Sequence, residues 1–315
     1  TDQVKAIKVE ALGGMSSAQI SQLVATTQIK ALTTAQVNAL DSAQLKALSG
    51  TQMSNLSEAQ IAAINAFQVK GIDSADLNGL TTDQMRAFST AAIGSMNATD
   101  QIGNLTSTQI GALTSGQAKA LTVAQAAAIT SVQAGALTSD EIGALGNAQF
   151  ASLTSAVVGK LTNEAISAIT TGQAKLLTTD QIKALSSAQF VNLSTADIAV
   201  LDGTQYAAIS STVIPNLTTD QVAAISTTTL NGLNASGQFA KLTSTQIGAL
   251  SAAQVNALGT TSVAALTTSQ VAGLTKAQVT GLTVDNLKAL TTAQVAKLDT
   301  AQLSGLSVTQ LASLT

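Results

Sequence analysis

Large apolar residues recur every eight positions along this chain, at Leu32, Leu40, Leu48, Leu56, Ile64, Ile72, Leu80, Phe88 and Met96. After a nine-residue step the series resumes at Leu105 and holds its spacing to Leu233. A second nine-residue step leads to Leu242, and the octads then run to Leu314. Ile7, Met15 and Leu23 keep the period at the start, with a third nine-residue step to Leu32. Residues 1–315 are thus about 39 octads with three single-residue insertions, expected to form one continuous solenoid without an internal domain boundary. A chain of this length would otherwise suggest two globular domains, but repeats do not grow a single spherical core.

The consensus octad is Leu-[Thr/Ser/Asp]-x-x-Gln-[Ile/Val/Leu]-x-[Ala/Gly]. In the unit Leu32-Thr33-Thr34-Ala35-Gln36-Val37, the residue after the apolar anchor is a helix N-cap type. Gln follows three residues later. That spacing is a capping box, in which the cap oxygen accepts from the N3 amide and the Gln side chain reaches back to the cap. Thr33 with Gln36, and Asp41 with Gln44, are good examples. The anchor and the residue after Gln then occupy the two positions of a hydrophobic staple, so Leu32 pairs with Val37 and Leu40 with Leu45. Gln stands in 27 of the 38 units anchored from Ile7 to Leu306, so this cap is the rule along the whole chain. The exceptions include Asp76, Ala92, Glu141, Asp197, Ser262 and Asn286.

One octad has room for one or two helical turns before the next start signal. A continuous helix fits badly, because eight residues rotate by about 800° and equivalent positions drift about 80° per repeat. The anchors would spiral around the helix and bury on no single face. A coiled coil needs a period near 3.5. The pattern predicts an all-α solenoid of short capped helices, with Leu, Ile/Val and Ala/Gly inside and stability supplied by stacking. The alternative is a β-solenoid with turns at the Thr pairs, since Thr, Val and Ile favour strands. Ala, Leu and Gln favour helix, and strict alternation is missing.

Composition narrows the chemistry. There is no Cys and no His, so disulfides, thiolate metal sites and the commonest general base are excluded. Aromatics are 2% and charged residues 10%, which predicts a neutral surface rich in hydroxyls and amides. The formal net charge of −3 argues against nucleic acid as a partner. No apolar run is long enough to span a membrane, and no signal peptide is visible. The chain opens at Thr1-Asp2-Gln3 and closes at Leu314-Thr315, both in mid-repeat, as expected of a segment of a longer array.

Arrays of the form Leu-Thr-x-x-Gln-[Val/Ile]-x-Ala-Leu, such as Leu32–Leu40, resemble the short tandem-repeat regions of large bacterial surface or secreted proteins. The resemblance covers the whole chain and implies an extracellular or cell-surface element of adhesin or filament type. Leu217–Ile225 is also similar to the first helix of a TAL-effector repeat, which supports the capped-helix reading. The second helix and base-reading loop of that family have no counterpart here, so DNA binding does not carry over.

Individual residues add little chemistry. Asp140, Asp180 and Asp220 are spaced by 40 residues, which could line up carboxylates for cations but is better read as helix-start acids in a duplicated block. No calcium-loop motif occurs. Asn-x-Ser/Thr at Asn55, Asn97, Asn104, Asn192, Asn216 and Asn234 follows from the repeat register. Lys46, Lys70, Lys119, Lys175 and Lys183 mark a solvated face, Tyr206 and Phe239 the core, and Pro215 a helix junction. The insertions at Val24–Thr27, Asn97–Asp100 and Asn234–Gly237 should bulge or bend the solenoid. No catalytic, cofactor-binding or metal-binding residue is expected. The expected function is structural: a self-assembling extracellular rod or filament that continues into further repeats. A second function class is a binding module whose flat Thr/Ser/Gln face meets glycan, mineral or ice. An enzyme would need a carboxylate pair or a Lys in a unique cleft, which a uniform repeat does not supply.

Overall fold

The computed structural model describes residues 2–235 and 237–314. Every regular element among them is helical, and no strand occurs among the described residues, so the β-solenoid alternative is not supported. Most helices are only four to six residues long, as in Ser107–Ile110 and Thr34–Ala39. Most stop where the next anchor and cap turn extended. Leu40 lies at φ −66°, ψ 141° and Asp41 at φ −84°, ψ 173°, so two extended residues redirect the chain before Ser42–Lys46 begins.

The described residues divide into two compact units, Thr1–Ala168 and Ile169–Thr315. Within each unit a helix packs on the one three octads away. In the first, Ser115–Ala120 lies against Ser139–Ala144 and Glu58–Ala62 against Thr82–Ala87. In the second, Gly203–Ala208 lies against Thr227–Ala235, and Lys276–Thr280 against Thr300–Leu303. Three octads therefore make one coil, and each coil is three-sided with an anchor at every corner.

Anchors and staple residues fill the interior. Leu32, Val37, Leu40 and Leu45 are all buried. The fully buried large side chains include Tyr206, Phe150 and Phe190, and the Tyr206 hydroxyl donates to the Ile198 carbonyl at 2.9 Å. Burial comes from stacked neighbours. The staple position is 0% exposed at Val37 and Val279 but 46% exposed at Leu311, which packs on the coil at Val284–Lys288. Lys46, Lys70, Lys119, Lys175 and Lys183 are all exposed.

Two expectations need correction. The Ala/Gly position is mostly not core: Ala31 and Ala112 are buried, but Ala39, Ala47, Ala63 and Ala87 are only half-buried. At some octads this residue sits where the backbones of successive coils touch, and there the contact sets its size. A methyl built on Gly71 would lie 2.1 Å from the Ser42 carbonyl oxygen, and one on Gly273 2.5 Å from that of Ser244. The insertions, in turn, are absorbed inside their own octads. The extra residue at Val24–Thr27 winds Ala25–Ile29 into a π-helical turn, and Asn97–Asp100 becomes a turn running into the 3-10 helix Ile102–Asn104. The third insertion, Asn234–Gly237, contains Ser236, which lies outside the described residues. Pro215 falls within another one-turn 3-10 helix, Ile214–Asn216.

Gly111 tests the backbone contact. A Cβ there would sit 2.3 Å from the Ala136 carbonyl oxygen, whereas one at Gly203 meets nothing within 4 Å. Gly111→Ala is expected to lose about 1–3 kcal/mol in urea melts, and Gly203→Ala to change stability by less than about 1 kcal/mol.

Candidate functional site

The side chains with repeated, specific chemistry are the capping glutamines. At the first pair, the Thr33 amide donates to Gln36 Oε1 at 2.8 Å, and the Gln36 amide donates to Thr33 Oγ1 at 3.1 Å. At the second, the Asp41 amide donates to Gln44 Oε1 at 2.8 Å, and the Gln44 amide to Asp41 Oδ1 at 2.7 Å. Both glutamines are buried, so the amide-bearing face expected from the sequence loses its Gln and keeps only hydroxyls.

Burial has a second cause. Gln Oε1 serves the local cap, while Nε2 donates to the coil below. Gln36 Nε2 reaches the carbonyls of Val4 and Ile7, both at 2.8 Å. Gln44 Nε2 reaches Met15 at 2.6 Å and Gly13 at 3.1 Å. The staple residues flanking the first pair are themselves acceptors for the coil above: the Leu32 carbonyl takes Gln60 at 2.7 Å and the Val37 carbonyl takes Gln68 at 2.8 Å. Gln36 and Gln44 are each a bolt between two corners of adjacent coils. Sequence reasoning placed it only in its own cap. The missed signal is the preference for Gln over Glu, which stands at this position only as Glu141. Glu completes a capping box and suits a helix N-terminus better, but it offers no N–H to the coil below.

The second insertion keeps the bolt. Gln101 accepts from the Asn97 amide at 2.6 Å although the cap is four residues away, and donates to Val69 and Ile72 at 2.8 and 2.7 Å. Where Gln is replaced, the socket is rebuilt or lost. Asn286 is one methylene shorter, and its Nδ2 reaches the Asn256 backbone oxygen and Oδ1, both at 2.9 Å. Asn256 Oδ1 in turn accepts from the Thr283 amide at 3.0 Å, so two asparagines on different coils do the work of one glutamine. Ala92 and Ala165 keep only the hydroxyl half of the cap, from Ser89 and Thr162.

The other candidates take structural places. Asp140, Asp180 and Asp220 are exposed in the first turns of their helices, and Asp180 lies 3.7 Å from Lys183 Nζ. No group of three or more metal-ligating side chains comes together among the described residues. The amides of Asn55, Asn104, Asn192 and Asn216 each donate to the carbonyl four residues earlier, closing a helix end, and Asn97 Oδ1 accepts from the Asp100 amide. The sequon at Asn234 includes Ser236 and lies outside the described residues. An open depression of about 470 Å³ lies beside the second insertion, lined by Lys46, Lys70, Asp73, Asn97 and Asp100. Its one ion pair, Lys46 to Asp73 at 3.6 Å, is solvent-exposed. No helix among the described residues is long and apolar enough to cross a membrane.

The bolt is open to direct measurement. Gln117 Nε2 donates to Met85 and Phe88 at 2.9 and 2.8 Å. Gln117→Met keeps the length and removes both functions, and is expected to lower stability by about 1–3 kcal/mol in urea or thermal melts.

The ALTTAQ repeat family matches five segments, residues 24–58, 69–106, 82–115, 235–268 and 284–315, together just under half of the chain. The six letters of its name stand unchanged at Ala31–Gln36 and Ala289–Gln294. No curated protein matches the chain. The chain is an array of short tandem helical repeats, similar over these segments to the ALTTAQ repeat.

Proposed function

We propose that this chain is a non-catalytic structural element that spans distance and self-associates into homopolymers at the cell surface or outside the cell. One observation carries this reading: the bolt and its corner carbonyls recur coil after coil. Any coil therefore presents the interface that the next coil needs, whether from further repeats or from another copy. A chain with only 10% charged residues and a net charge of −3 also has little of the like-charge repulsion that keeps most proteins apart. The extracellular placement rests on the resemblance of the Leu-Thr-x-x-Gln arrays to bacterial surface and secreted repeat regions. Negative-stain electron microscopy and sedimentation from micromolar to near-millimolar concentration test the proposal. Rods, fibres or a concentration-dependent mass are expected. Monodisperse particles of one chain across the whole range would overturn it.

A specific feature of the second unit favours a binding role as the second reading. Thr171, Thr195, Thr219, Ser244, Thr268 and Thr292 each open a helix, and those helices stack in one series. Each stands next to a capping Thr or Ser, so six successive coils present a pair of neighbouring hydroxyls on one side. Such a ladder suits a ligand with its own regular hydroxyls, a glycan or ice. Binding on a glycan array or in an ice-shaping assay is expected to drop at least tenfold in Thr219→Val/Thr268→Val. Absence of binding by the unaltered chain in both assays would end this reading.

A further inference from the structure

Glu141 occupies a bolt position without a bolt's chemistry. The Thr138 amide donates to Glu141 Oε2 at 2.7 Å, so the local half of the socket is intact. Oε1 takes the place of the amide Nε2. It is buried and has no hydrogen-bond partner. In the neighbouring octad Gln133 Nε2 donates to Ile102 at 2.9 Å and Leu105 at 2.7 Å, which lie 31 and 28 residues earlier. The same register assigns the carbonyls of Ile110 and Leu113 to Glu141. A carboxylate there turns a lone pair toward two carbonyl oxygens, whereas a neutral carboxylic acid carries the donor that the socket requires.

We propose that Glu141 is a pH-operated bolt, which ties its corner to the coil below as the neutral acid and releases it as the carboxylate. Burial pushes the Glu141 carboxyl up to about 7, against the hydrogen bonds from Thr138 that favour the charged form. Asp140 on the same helix adds to the rise, and Arg86 opposes it. Arg86 Nε donates to the Ala112 carbonyl at 3.1 Å, beside the same corner. The helices packed against Ser139–Ala144 contribute Lys119 from Ser115–Ala120 and Glu164 from Asn163–Ser167, both exposed.

The sign follows from linkage. The unfolded chain loses this proton near its ordinary value of 4.5, and the folded chain holds it to about 7. Between those values the folded state binds more protons, so its stability falls as pH rises and levels off above neutrality. This corner is fastened more firmly in mild acid than above neutral pH.

Thermal melts of the full chain and Glu141→Gln across pH 4 to 9 test this, together with hydrogen exchange read as protection factors. The two melting temperatures are expected to coincide near pH 4.5 and to separate by a few degrees above pH 7, with the variant higher. Protection at Leu113–Thr114 and Glu141–Ile142 should fall at least tenfold from pH 5 to 8 in the unaltered chain and hold steady in the variant. A variant more stable by the same margin at every pH, or protection that does not change with pH, would overturn the proposal. Should Glu141→Gln fold poorly, Glu141→Met, which has neither the acceptor nor the donor, reports the other limit: its melting temperature should fall furthest below the unaltered chain in acid, and a gap that does not narrow as pH rises through neutrality would overturn the proposal.

Discussion

A single side-chain amide holds this fold together by acting at both of its ends. Gln Oε1 completes the cap of a helix too short to stand alone, and Nε2 ties that helix to the carbonyls of the coil below. One-turn helices are unstable in water because nucleation fixes several residues for one hydrogen bond. Each bolt supplies that nucleus with long-range partners. The anchors and staple residues then bury beneath it, and their burial requires the bolt's register to hold. Local and tertiary structure are thus formed by the same group, so an octad gains its helix and its neighbour together.

The bolt also explains which variations the coils accept. An extra residue between cap and glutamine is taken up as a π-helical turn at Ala25–Ile29 or a turn and 3-10 helix ending at Asn104, and at the second of these the Gln101 amide still lands on its carbonyls. The Ala/Gly position is restricted where backbone meets backbone, as at Gly71 and Gly273, while Lys160, Leu176 and Val200 stand at the same position elsewhere. Exposed positions one and two residues past the cap vary freely in size, from Gly203 to Phe67, which is 82% exposed. Tolerance follows distance from the bolt and the backbone contact, more than position along the chain.

Much of this was legible in the residues. The period, the three insertions, the capping pairs Thr33–Gln36 and Asp41–Gln44 and the apolar positions follow from spacing and local chemistry. The number of octads per coil was not legible, because a period measures distance along the chain while coil closure depends on turn angles at each anchor. The Ala/Gly position was misplaced for a related reason: smallness signals close approach, and sequence does not say whether a side chain or a backbone approaches. The second function of glutamine left a trace, in its near exclusion of Glu. Reading that trace required asking what Gln has that Glu lacks.

The substitutions in the socket show that the requirement is for a donor and an acceptor at once. Asn286 is too short to serve both corners, and Asn256 on the facing coil supplies the missing oxygen to the Thr283 amide. Alanine at Ala92 and Ala165 drops the tie altogether while the cap hydroxyl remains. Glu141 keeps the acceptor and lacks the donor until it binds a proton, since burial favours its neutral form. A coil whose neighbours are held by glutamine shares load across several bolts, so one weak socket lowers local stability without dissolving the stack. Sequence variety among the octads therefore does more than accumulate neutral change. It sets how firmly each corner is fastened, and a uniform architecture can carry weak and strong joints at chosen places.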